Sequence, residues 1–417
     1  MDVIITSSVL SGSVKAIPSK SVAHRLLICA ALADKPTSLL LSSSSDDIDA
    51  TIACLIALGA GIEKQGEAII VTPITEVPEC PVLDCRESGS TLRFMLPVAT
   101  ALCERVHFTG SGRLPERPIT ELSNAMKSHG VSFSSEKLPF ETRGKLTGGV
   151  FDISGNVSSQ YLTGLLLALS AIPQDSCVRL SSKLVSSAYA EITLLALTQF
   201  GVSVKHSENE YFISANSQYR SPSQLVVDGD WSNAAFFLAA GAIGTSVTVS
   251  GLDLHSPQGD KAIIHLLKCF GAGLISGDTW VTASSGKLHG CEVDLTDVPD
   301  LLPALAVVAA YAEGETHFVN GAHLRYKESD RLASTASMLK ALGGSVQVHK
   351  DGLTVFGGTL TGGTVDSFND HRIAMAAAIA GSICANPVTI TRAEAVNKSY
   401  PAFFSNYINL GGKADVL

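Results

Sequence analysis

The chain has 417 residues, 46% of them apolar and only 17% charged against the about one quarter usual in globular domains, so it can fill two or three cores beneath a largely neutral surface. Its net charge of −9 and lack of a basic stripe speak against a nucleic-acid footprint or a polybasic membrane contact, so an anionic ligand would have to be drawn in by a local cluster of cations. Nine cysteines without CxxC or other metal spacing predict reduced thiols and no metal, and a start without a basic and then apolar leader predicts a cytoplasmic protein.

Along the chain, helices apolar on nearly every face are predicted over 25–33, 91–102, 161–172, 234–243, 301–312 and 373–383, and such helices must be enclosed on all sides. After each comes an amphipathic helix that stops at a glycine followed by a short strand. The six glycines are Gly59, Gly130, Gly201, Gly271, Gly343 and Gly411, spaced about seventy residues apart, as expected if each supplies the left-handed residue that ends a helix. Two uncharged stretches, 231–252 and 373–391, are broken by Gly, Ser, Thr or Pro and read as buried helix plus strand rather than membrane spans. The chain is thus an α/β protein built from one unit used six times. An open solenoid is disfavoured because its repeats are shorter, roughly 20 to 50 residues.

The enclosed helices start near Ser21, Ser90, Ser159, Ser232, Asp300 and Asp370, all residue types that cap helices. Capping alone would explain any one of them. Helix starts also offer free amides and a positive dipole end to anions, however, and here scarce charges gather beside them. In order these segments are Ser19-Lys20-Ser21-Val22-Ala23-His24-Arg25, Glu87-Ser88-Gly89-Ser90-Thr91-Leu92-Arg93, Arg113-Leu114-Pro115-Glu116-Arg117-Pro118, Ser158-Ser159-Gln160-Tyr161, Arg325-Tyr326-Lys327-Glu328-Ser329-Asp330-Arg331, Asn369-Asp370-His371-Arg372 and Asn397-Lys398-Ser399-Tyr400.

These segments, in this order and on a sixfold repeat, resemble the 5-enolpyruvylshikimate-3-phosphate synthase family over nearly the whole chain. The resemblance implies a two-domain inside-out α/β barrel of six βαβαββ-type units, three per domain, with residues 16–226 as the first domain, 1–15 plus 227–417 as the second, and the active site in the cleft between them. It implies transfer of the enolpyruvyl group of phosphoenolpyruvate to the 5-hydroxyl of shikimate 3-phosphate with release of phosphate, a step toward aromatic amino acids, by a monomer with no cofactor. Carried over by position, Lys20, Gly89, Arg93, Arg117, Arg331, Arg372 and Lys398 surround phosphoenolpyruvate. Lys20, Ser21, Arg25, Ser158, Ser159, Gln160, Ser186, Tyr189, Asp300, His323 and Lys327 hold shikimate 3-phosphate. Asp300 is the general base and Glu328 the acid that protonates the methylene carbon, with Lys20 and Lys327 as further catalytic groups.

Three positions depart from the family pattern: Glu87 and His323 stand where asparagine is common, and Phe94 where proline is. Glu87 is expected to pair with a neighbouring arginine. The competing readings are a UDP-N-acetylglucosamine enolpyruvyl transferase and a non-catalytic repeat scaffold. The first family carries a reactive cysteine on the loop before its Arg-Pro pair, whereas 110–118 has none here. A scaffold would not need acids and bases at its helix starts.

Overall fold

The computed structural model describes residues 1–417 and divides into two compact units, Pro18–Val227 and Met1–Ile17 with Asp228–Leu417. Each unit has its own apolar core. Twelve α-helices alternate with strands: α1 (Lys20–Ala31), α2 (Asp46–Ala57), α3 (Gly89–Leu102), α4 (Thr120–Lys127), α5 (Ser159–Leu169), α6 (Ala188–Gln199), α7 (Trp231–Ile243), α8 (Ile263–Phe270), α9 (Leu302–Tyr311), α10 (Arg331–Ala341), α11 (His371–Gly381) and α12 (Phe403–Asn409). The odd-numbered helices are the enclosed ones; every residue of α7 and α11 is buried. No helix is long and apolar enough to cross a membrane, and the two uncharged stretches resolve into α7 plus strand Ser246–Ser250 and α11 plus strand Val388–Thr391.

Six four-stranded sheets share one topology, as the βαβαββ reading expects. In the second, Val82–Asp84 runs parallel to Arg105–Thr109, with α3 as the crossover that parallel pairing requires. Arg105–Thr109 then pairs antiparallel with Phe140–Arg143, and that with Ser132–Phe133. Val106 and Phe108 point into the core while Arg105 and His107 point away, the period of two that keeps one sheet face wet. In the unit 1–17 plus 228–417, α7, α9 and α11 pack on one another beneath their sheets; in the other, α3 and α5 approach so closely at Gly164 that a Cβ there would lie 2.2 Å from the Arg93 carbonyl oxygen.

Three sheets are completed by strands remote in sequence. Val3–Thr6 lies between Val388–Thr391 and Lys413–Val416 in the sixth, Ser11–Lys15 runs parallel to Ser246–Ser250 in the fourth, and Gln224–Val226 runs parallel to Thr37–Leu40 in the first. The chain start therefore supplies strands to two sheets built mainly from its far end.

All six predicted glycines are left-handed, with φ from 76° at Gly201 to 103° at Gly59. Each is followed by the same closing bond, in which the next residue's amide reaches back over the last turn: Ala60 to Leu55, Val131 to Met126, Val202 to Leu197, Ala272 to Leu267, Gly344 to Leu339 and Gly412 to Tyr407, all at 2.8–3.2 Å. The helix starts differ from expectation. The capping side chains are Ser19, Ser88, Ser158 and Asp230, one or two residues before Ser21, Ser90, Ser159 and Ser232, while Asp300 sits in the 3₁₀ turn Pro299–Leu301 before α9; at α11 Asp370 caps as predicted. Two cap-type residues stand in tandem at these starts, and only the first adopts the extended backbone of a cap. The second is thereby left inside the first helical turn.

Gly59→Ala is expected to lower unfolding free energy by about 2–3 kcal/mol, because left-handed backbone is combined with a Cβ that would sit 2.2 Å from the Glu76 carbonyl oxygen. Gly66→Ala, equally left-handed but facing open space, should cost about 1 kcal/mol. Urea denaturation of both variants measures the difference, and equal losses would contradict the helix-stop role.

Candidate active site

In the unit 18–227 the predicted residues gather at the starts of α1, α3 and α5. Ser19 caps α1, so Lys20 leaves its first residue and pairs with Asp47 on α2, Nζ to Oδ2 at 2.7 Å. Gly89 opens α3 directly beneath Arg117: a Cβ at Gly89 would lie 2.4 Å from one guanidinium nitrogen. The arginine thus stacks on bare backbone, which only glycine offers. Arg93, one turn into α3, donates to Gln160 Oε1 at 2.7 Å and to the Pro118 carbonyl at 3.1 Å, and Gln160 in turn donates to Ser90 Oγ at 2.9 Å. Gln160 therefore stitches α5 to α3 and holds Arg93 in one orientation. Ser158 caps α5 through the Gln160 amide, Ser159 is buried beside it, and Ser186 precedes α6 in left-handed backbone at φ 56°, with its carbonyl accepting from the Tyr189 amide.

Arg25 proves to be a cross-link. Its guanidinium is buried and donates to Thr193 Oγ1, the Ser21 carbonyl, Thr163 Oγ1 and the Tyr189 carbonyl at 2.7–3.1 Å, tying α1 to α5 and α6. Burial lowers its pKa to about 10. Phe94, the departure from proline, packs its ring face 5.0 Å from that guanidinium and its edge near His24. The Glu87 carboxylate lies against Gly112, where a Cβ would come within 2.5 Å of it.

In the unit 1–17 plus 228–417 the organising group is Arg331, first residue of α10 and 1% exposed. It donates to Asp300 Oδ1 at 2.6 Å, Glu328 Oε2 at 2.5 Å and Asp370 Oδ2 at 3.2 Å, so three carboxylates share one buried cation. Asp370 also caps α11 through the Arg372 amide at 3.0 Å and accepts from Ser329 at 2.9 Å; His371 is the buried first residue of the helix. Arg372 reaches back to Asp300 Oδ2 at 2.9 Å, and Lys327 Nζ stands 3.9 Å from Oδ1. Burial alone would raise the Asp300 pKa, but Arg372, Lys327 and Arg331 together hold it well below the ordinary carboxylate value. Lys398 donates to the Asn369 carbonyl at 2.6 Å, and Phe368 and Asn369 enter α11 in left-handed backbone. His323 is buried with no hydrogen-bond partner for Nε2; burial and then Lys327 lower its pKa to about 4, so the ring is neutral.

Eleven of the eighteen predicted residues thus lie in the unit 18–227 and seven in the other. The sequence missed the groups that hold them: Asp47, which pairs with Lys20, Thr163 and Thr193 on Arg25, and Asp260, a buried acid hydrogen-bonded to Ser232. Asp260 follows Gln258-Gly259, and in sequence only its place before a helix marks it.

Arg331→Ala should lower stability by about 3–5 kcal/mol at pH 7 by stranding buried carboxylates. The sign follows from Asp300: its folded pKa is depressed, so its share is present above the unfolded carboxylate value and is lost as pH falls through the folded one. Denaturation from pH 7 to pH 3 should show the gap between variant and wild type narrowing in acid; a constant gap would contradict the ion network.

The family model for EPSP synthase (3-phosphoshikimate 1-carboxyvinyltransferase) matches residues 4–407. Among curated relatives, the 3-phosphoshikimate 1-carboxyvinyltransferase of Clostridium kluyveri is 40% identical over 415 residues, covering 99% of this chain and 97% of its own, and that of Methanocorpusculum labreanum is 36% identical, covering 99% of each. Among solved structures, EPSP synthase from Acinetobacter baumannii superposes with a TM-score of 0.83 at 24% identity over 100% of both chains. The enolpyruvyl transferase NikO from Streptomyces tendae gives 0.80 at 18% identity, over 99% of this chain and 98% of its own. The two structural likenesses carry the fold, including the two-domain inside-out barrel of six units.

Proposed function

Because this chain belongs to the EPSP synthase (3-phosphoshikimate 1-carboxyvinyltransferase) family, we propose a division of labour among its residues that follows from their geometry. The reaction is transfer of the enolpyruvyl group of phosphoenolpyruvate to shikimate 3-phosphate with release of phosphate, in aromatic biosynthesis. The observation that carries the residue assignment is the gathering of scarce cations at helix starts in both units.

Arg117, Arg93, Lys20, Arg331, Arg372 and Lys398 take the phosphate and carboxylate of phosphoenolpyruvate. Arginine forks suit both groups because each accepts two parallel N–H bonds. Ser21, Ser158, Ser159, Gln160, Ser186, Tyr189 and His323 supply neutral contacts to shikimate 3-phosphate, with Arg25 holding their helices in place. Its four protein bonds make Arg25 a support for the site and a poor direct ligand.

Asp300 and Glu328 have two tasks in this reading. They neutralise Arg331 and Arg372 when no substrate anion is bound to those arginines. An incoming phosphate or carboxylate competes for the same forks, and each arginine drawn from Asp300 removes a cause of its low basicity. Asp300 then accepts the proton of the attacking 5-hydroxyl, the hydroxyl oxygen bonds to the central carbon of phosphoenolpyruvate, and Glu328, which takes up a proton from solvent once a substrate anion has replaced it on Arg331, passes that proton to the methylene carbon. The tetrahedral adduct next expels phosphate, which takes the proton held by Asp300, and returns a methyl proton to Glu328 to restore the double bond. Lys327 lies near enough to Asp300 to favour its charged form throughout. Proton transfer by placed groups contributes roughly 10² to 10⁴ in rate, while holding two anions in reacting geometry contributes about 7–11 kcal/mol. Positioning outweighs either proton.

The cytoplasmic, monomeric enzyme remains our proposal, the first from nine cysteines that all stand as free thiols and the second from a site that uses groups of a single chain. Phosphate release from the two substrates tests the reading. Lys20→Ala, Arg331→Ala and Asp300→Ala should each lose at least about 10³ in turnover, and near-native turnover in folded Lys20→Ala would overturn its assignment. Gly89→Ala, which must displace Arg117, should raise KM for phosphoenolpyruvate roughly tenfold with a smaller change in KM for shikimate 3-phosphate; equal effects on the two would place Arg117 elsewhere.

A further inference from the structure

Asp260 is a buried acid outside the assigned set, 4% exposed, in the 3₁₀ turn Gly259–Ala262. The turn is fastened to the start of α7: Gln258 Oε1 accepts from the Trp231 amide at 3.2 Å, and Gln258 Nε2 donates to the Gly229 carbonyl at 2.9 Å. The Asp260 carboxyl is in turn hydrogen-bonded to Ser232 Oγ, inside the first turn of α7. It cannot swing out to water without breaking these contacts.

The charges whose fields reach it come from three elements: Asp300 from the turn before α9, Arg372 from α11 and Asp230 from the cap of α7. Along its length α7 has no titratable residue. Neighbouring Lys261 is turned away, its Nζ donating to the Leu254 and Ser256 carbonyls at 2.8 and 2.9 Å, and on α8 His265 and Lys268 are exposed. Asp260 and Asp300 therefore share the field of Arg372, and Asp300 has Lys327 and Arg331 besides.

We propose that Asp260 is a positioning residue for this reaction, a buried carboxyl whose proton decides whether Arg372 meets phosphoenolpyruvate with one acidic neighbour or two. The proposal rests on the transferase reading above. The Asp260 pKa is raised to about 7, first by burial and then by the Asp300 charge, against the lowering effects of Arg372 and Ser232. Asp300 is held low, so below pH 7 the proton stays on Asp260. As pH rises through 7 that proton leaves, Arg372 is divided between two carboxylates, and the site binds a substrate anion less well. Stability carries the same sign: the folded state holds the proton more tightly than the unfolded chain, so stability falls as pH rises between about 4 and 7.

The test measures KM for phosphoenolpyruvate at saturating shikimate 3-phosphate from pH 6 to pH 8.5, for wild type, Asp260→Asn and Ser232→Ala, with urea denaturation over pH 4.5–8. The ratio of variant to wild-type KM cancels the substrate's own titration. Over this range wild-type KM should rise roughly tenfold relative to Asp260→Asn, with kcat changing less. Ser232→Ala removes a bond to the charged carboxyl and should move the inflection to higher pH. Asp260→Asn should also lack the fall in stability toward pH 7. Parallel KM profiles, or an inflection that Ser232→Ala leaves in place or lowers, would overturn the proposal. Absent wild-type turnover would fail the transferase reading instead, and the denaturation profiles would then decide Asp260 on their own.

Discussion

Buried cations must be neutralised whether or not a ligand is present, and this constraint explains most of what surrounds the candidate site. Arg331 is inside the protein with Asp300, Glu328 and Asp370 around it, and those acids also place Arg372 and the start of α11. A guanidinium left alone at that depth would cost several kcal/mol, and so would any one of the carboxylates. In the proposed reading the result is a set of forks preformed for carboxylate and phosphate and balanced by groups such an anion can replace. Binding then exchanges one set of ionic partners for another, with little uncompensated charge at any stage.

The two units meet the same constraint by different means. In 18–227 neutral groups take part in orienting the cations: Gln160 and the Pro118 carbonyl hold Arg93, threonines and carbonyls hold Arg25, and bare backbone at Gly89 accommodates Arg117. In the other unit carboxylates do the orienting. In the second arrangement cation placement is tied to carboxylate protonation. In our proposal the acid–base chemistry therefore belongs to the second unit.

Strain and packing support both clusters. Arg86, Ser186, Phe368 and Asn369 take left-handed backbone just before α3, α6 and α11, conformations that the surrounding sheets and helices must impose. The rigidity comes from the repeat itself, since each enclosed helix is gripped along its length and its start is held relative to the neighbouring starts.

The repeat was legible in the amino-acid sequence because its signals are local. A left-handed glycine stops a helix wherever it stands, and all six did so; an apolar helix has to be enclosed, and all six were. The residues of the site were legible for a related reason, since charge is scarce in this chain and its placement beside helix starts stands out. Pairing was another matter. That Arg25 is a cross-link, that Lys20 meets Asp47, that Ser19 caps in place of Ser21 and that Asp260 shares the field of Asp300 depend on contacts between residues far apart in sequence or on a choice between two cap-type residues a position apart. The three remote sheet closures belong with them. Local sequence determines what a segment can become; which charges and strands become partners is decided by tertiary packing, because Coulomb energy and hydrogen bonding depend on distance in space and burial multiplies both.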